Sequence, residues 1–167
     1  RLQGDWSSDV CSSDLLTITN ARGLVASGVV TTGAIRQVAG QGLTRFDGAV
    51  SANGSGGIDL DALTSVPFTF NSSVNASAGS FSLSGGAATF ADALGANGSI
   101  EIVSSGAVQV VGATTASTGS LTVNAGPTSF GGAVNAATSV AVTSTGSTTF
   151  SSGVTTGTGG ITLDAGS

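Results

Sequence analysis

Acidic side chains and one thiol are the groups in this sequence that could do chemistry. It holds nine Asp and Glu against four Lys and Arg, one Cys, one Trp, and no His, Met or Tyr. Without His the commonest general base and metal ligand are missing, so catalysis would have to run on carboxylates. Asp59 and Asp61 of "IDLDA" form the closest pair. Two residues apart, they share the outer side of an extended segment and could contribute to a calcium site. Calcium takes six to eight oxygen ligands, and the Gly-Gly-x-Gly-x-Asp repeat of calcium-binding β-rolls does not recur, so a solvated outer face is the expected role. Asp47, Asp92, Glu101 and Asp164 could serve a polysaccharide lyase or hydrolase if the fold gathered them along one groove. Asp92 falls between Phe90 and Leu94 at a nominally inward position, where a turn or bulge is expected in place of a buried acid. No residue is assigned a catalytic, metal-ligating or cofactor-binding role, and no cofactor is expected.

The thiol, Cys11, lies in "DWSSDVCSSDL" (5–15), which also carries the only Trp and three of the nine acidic residues. A functional head built on Cys11 would need a second Cys or a His as partner, and the chain has neither. Across all eleven residues the stretch resembles the translation of a widely used sequencing-library adapter. That resemblance implies that 1–15 is not native to the protein, leaving a native portion without Cys or Trp, as suits an exported protein stabilised by stacking.

A net charge of −5 with no basic patch gives no electrostatic means of binding nucleic acid or an anionic membrane. No apolar run reaches the roughly 20 residues of a membrane-spanning helix, so membrane insertion by this segment is not expected. Residues 1–30 lack a signal peptide's basic start and apolar core, and the chain reads as an interior piece of a longer protein. Four Asn-x-Ser sequons, at Asn53, Asn71, Asn75 and Asn97, are expected to be turn residues.

The elements that would position all these groups are announced by a repeat. Phe70, Phe90, Val110, Phe130 and Phe150 follow one another at steps of twenty residues, with Phe46 upstream after a longer step. Their frame reads "RFDGAV", "TFNSSV", "TFADAL", "SFGGAV" and "TFSSGV", in which a Val or Leu follows the Phe by four residues; "QVVGAT" departs, with Val110 and Thr114. A second frame lies between: "GGIDLDA", "GSFSLSG", "GSIEIVS", "GSLTVNA", "TSVAVTS" and "GGITLDA". Its apolar residues alternate with polar or small ones, as in a half-buried strand. A helix is disfavoured by Gly every few residues, at about 1 kcal/mol each.

The unit is therefore expected to be two short strands and two turns. Alone it cannot bury its apolar side, but stacked on copies of itself at about 4.8 Å it can. The expected fold is all-β: a β-solenoid, most simply a right-handed parallel β-helix of about 20 residues per coil, with an antiparallel β-sandwich as the alternative. The regular coils should occupy 44–167. In 16–43 only "LTITN" matches, and Val29, Val30, Ile35 and Val38 are loosely placed. The gap at Val110 and Thr114 predicts a locally weaker coil.

The frames "TFxxxV" and "GSLTV", with Gly, Ser, Thr and Asn between, resemble the β-strand repeats of very large bacterial exoproteins, the filamentous haemagglutinin-like and autotransporter-type adhesins. The resemblance covers 44–167 well and 16–43 weakly. It implies a secreted or cell-surface shaft for attachment or aggregation, not an enzyme, with a host cell, a glycan or another copy of itself as partner. A β-helical polysaccharide-degrading enzyme and a calcium-binding β-roll module are the alternatives.

Overall fold

The computed structural model describes residues 14–166, and every regular element in them is a β-strand. Cys11 and most of the adapter-like stretch lie outside the described residues. Short strands suit this composition, because Thr, Val, Ile and Phe fit a pleated half-buried surface while Gly, Ser and Asn turn the chain between them.

After a first strand, Leu15–Thr19, the chain winds through seven coils, numbered 1 to 7, at 24–40, 44–62, 68–85, 88–104, 108–125, 128–144 and 148–165. Each strand pairs in parallel with its counterpart one coil on. The fold is thus a β-solenoid. Each of coils 3 to 7 has three strands, as coil 4 shows with Ala88–Phe90, Leu94–Ala96 and Ile100–Ser104. They build three faces. The first is a seven-stranded sheet from Leu24–Ala26 to Thr148–Phe150. The second and third belong to one thirteen-stranded sheet, because in coils 1 and 2 single long strands, Val30–Gly40 and Val50–Ala62, run along both.

Three strands per coil correct the expectation of two. Phe and the Val four residues later do not lie on one strand: Phe46 ends Thr44–Phe46, residues 47–49 turn a corner, and Val50 begins the next strand. Both side chains still point into the same interior from adjoining walls. An even spacing fits either geometry, and the small residues between ("DGA", "NSS", "ADA", "GGA") are what make the corner.

The interior consists of columns, one residue per coil. Rings stack in parallel at 5.4 Å for Phe46 on Phe70, 4.7 Å for Phe70 on Phe90 and 5.2 Å for Phe130 on Phe150. Phe81 meets Phe70 and Phe90 edge-on from the third face. Each buried Phe or Ile contributes about 1.5–3 kcal/mol, so stability accumulates coil by coil. One column runs Ile18, Gln37, Leu60, Leu83, Ile102, Val123 and Val142, apolar except at Gln37. Gln37 is fully buried and exchanges hydrogen bonds with Thr44, its Nε2 donating at 2.9 Å. Pairing the two amphipathic groups satisfies polar atoms that the core would otherwise leave exposed to apolar surroundings.

Coils 1 and 2 carry the irregularities. The pairing of Val30–Gly40 with Val50–Ala62 changes register twice, and Phe46 to Phe70 takes twenty-four residues. At Gly57 the backbone is left-handed, φ 64°, and a Cβ would collide with the Ser80 carbonyl, so only Gly serves there. From coil 3 onward the true repeat is a pair of coils. Residues 76–110 and 116–150 align without a gap, and the inward Ser104 and Ser144 lie forty residues apart. Ser104 Oγ donates to Gly86 O at 2.6 Å and accepts from Gly106 N at 3.2 Å; Ser144 does the same with Gly126 O, at 2.7 Å, and Gly146 N, at 3.2 Å. Coils 3 and 5 carry Gly85 and Ala125 in that column instead.

Candidate functional site

Strand alternation sends every second side chain outward, and the parallel register lines these up across coils. On the first face the outward column runs Arg45, Thr69, Thr89, Gln109, Ser129, Thr149. On the second it runs Ser51, Asn75, Gly95, Thr115, Asn135, Thr155. Apart from Arg45 and Gly95 these are hydroxyl and amide side chains at one per rung, about 4.8 Å apart.

The third face carries most of the charged strand residues. Asp59 and Asp61 stand outward on either side of the buried Leu60, opposite Ser82 and Ser84. Arg36 lies one coil back from Asp59, with 3.8 Å between Nε and Oδ2. Glu101 follows beyond Ser82, and Asp164 lies five coils on from Asp61. The two remaining expected carboxylates are elsewhere, in the turns that leave the first face. Asp92 is exposed, with Oδ1 accepting from Ala93 N at 2.8 Å, so the turn expected at this position is what the chain makes. The fold therefore does not gather these acids. Among the described residues no three of His, Cys, Asp and Glu come together as a metal-binding group.

Asp47 occupies a polar network that joins two coils. Arg45 Nε and Nη2 donate to its two oxygens at 2.6 and 2.9 Å, and Asn71 Nδ2 from the next coil donates to Oδ1 at 2.7 Å. The Arg45 hydrogen bonds, then that of Asn71, hold the Asp47 carboxyl below its ordinary pKa. Asp47 in turn raises that of Arg45. The clue was in "RFDGAV": with Phe46 inward, its neighbours meet outside. A second ladder was equally visible as the Ser before four of the six second-frame pairs. Ser80 Oγ accepts from Ser99 N and Ser99 Oγ from Ser120 N, both at 3.2 Å, and Ser139 Oγ donates to Ser120 Oγ at 3.0 Å.

The four sequons divide. Asn71 and Asn97 are in turns as expected, whereas Asn53 and Asn75 lie in strands, because an outward strand position accepts a polar side chain as readily as a turn does. Asn53 Oδ1 accepts from Ser51 at 3.0 Å and Ser77 at 3.1 Å, another link between coils.

No family model, curated protein or solved structure matches the chain. Its surface must therefore speak for itself. A shallow depression of about 420 Å³ on the second face is lined by Thr115, Ser117, Asn135, Thr155 and Gly157 among others. An apolar hollow of about 250 Å³ beside Leu16, Ile18, Leu24 and Phe46 continues the interior columns. Neither is lined by Asp47, Asp59, Asp61, Asp92, Glu101 or Asp164. What the arrangement offers chemically is repeated, weak hydrogen bonding along a stacked scaffold.

Proposed function

We propose that this chain is a shaft segment of a large secreted bacterial surface adhesin, resembling the filamentous haemagglutinin-like and autotransporter-type exoproteins, and that it is not an enzyme. The observation that carries the reading is the pair of outward columns, on two faces, both uncharged from coil 3 to coil 7, while the carboxylates stay dispersed. Each rung can offer a glycan, a host-cell surface or another copy only one or two hydrogen bonds, each worth about 0.5–1.5 kcal/mol. Useful adhesion then comes from many rungs engaged at once, as multivalent binding requires. The rigid, additive stack holds those rungs at fixed spacing.

The test uses beads coated with the full chain, scored for clumping and for retention on a mucin layer. The expected result is retention or clumping that is unchanged in D59A/D61A and falls progressively when outward residues such as Thr115, Asn135 and Thr155 are replaced by Lys one after another. Cleavage of a polysaccharide by the wild-type chain that D59A/D61A abolishes would overturn the reading in favour of an enzyme.

A further inference from the structure

We infer that coil 5 is a built-in seam, at which the solenoid opens between two better-filled blocks. Two unrelated defects fall on this coil. On the first face Phe46, Phe70 and Phe90 stack ring on ring, and so do Phe130 and Phe150. Between them stands Val110, paired in register with Phe90 and Phe130 but with no ring to offer either. On the second face the inward column Val50, Val74, Leu94, Thr114, Val134 is apolar except at Thr114. Thr114 is buried, and its Oγ1 has no hydrogen-bond partner. A buried hydroxyl left unpaired weakens the folded state, and a missing ring forfeits two stacking contacts.

The main-chain ladder passes through coil 5 without interruption: Gln109 pairs with Thr89 and Ser129, and Thr115 with Gly95 and Asn135. Coil 5 is thus a rung like its neighbours, deficient only in its filling. In a one-dimensional stack each coil is held by its own packing and by two neighbour interfaces, so poor filling weakens both sides at once. Openings of lower free energy than global unfolding concentrate at such sites. On one side lie coils 2 to 4 with Phe46, Phe68, Phe70, Phe81 and Phe90, all buried; on the other lie coils 6 and 7 with Phe130 and Phe150. The same hydroxyl defect at Thr148 falls in coil 7, beyond the second block's first coil, and does not lie between the blocks. The seam rests on the fold alone, so its failure would leave the attachment reading untouched.

Hydrogen exchange on the full chain, read by mass spectrometry, tests it. Amides of 108–116 should exchange about tenfold or more faster than their counterparts in 88–96 and 128–136. T114V removes the stranded hydroxyl while keeping the shape and should slow exchange in coil 5 several-fold. V110F, which restores the ring, should do the same if the space accepts it, and T114V decides where it does not. Protection in coil 5 equal to that of coils 4 and 6 overturns the inference, as does unaltered coil 5 exchange in T114V.

Discussion

Asp47 shows how a single residue is tuned in this molecule. Its carboxylate has ordinary chemistry and an open setting, yet three donors from two coils converge on it. Because those donors favour the charged form, its pKa is lower folded than unfolded. The stability it contributes is therefore present above the unfolded value and fades as pH falls through the folded one. Carbon-detected NMR should find Asp47 titrating below an ordinary aspartate, and Arg45→Gln should return it most of the way, since the Arg45 hydrogen bonds are the largest cause. A titration in R45Q identical to wild type would contradict that assignment. The network was hidden in plain sequence because "RFD" reads as a charge pair only once Phe46 is known to point inward. Asp59 and Asp61, in contrast, were placed outward from alternation alone, and outward is where they stand.

At the scale of the element, the strand is too short to be stable alone, and the corner decides what it joins. The second frame was readable because Ile100 and Ile102, or Leu121 and Val123, alternate as a strand must, and those strands exist at Ile100–Ser104 and Leu121–Ala125. The first frame misled because Phe90 and Leu94 share a parity whether the chain runs straight or turns at "ADA". The paired-coil repeat escaped because the Phe column keeps a step of twenty, while the alternation sits in corner residues such as Ser104 and Gly85. Ser104 holds its corner with one hydroxyl serving Gly86 O and Gly106 N. Ser104→Ala leaves those groups unpaired in a buried corner and should lower unfolding stability by about 1–3 kcal/mol in urea titrations. An unchanged midpoint would mean that the corner keeps its shape without the hydroxyl.

For the whole molecule, stacking converts sequence separation into a fixed advance along an axis. Val25, Arg45 and Thr69 stand in one outward column with Thr149, in coils 1, 2, 3 and 7. Their separations in sequence differ, twenty residues from Val25 to Arg45 and twenty-four from Arg45 to Thr69, yet each pair is one rung apart. Spin labels on Cys at 149 and at 25, 45 or 69, with Cys11→Ser as background, give the distances by pulsed electron resonance. The solenoid requires roughly 29, 24 and 19 Å, equal steps of about 4.8 Å regardless of the extra residues in coil 2. Distances that fail to shorten in equal steps, or that cluster at one value as in a two-layer sandwich, would contradict the stacked parallel coil on which the shaft depends.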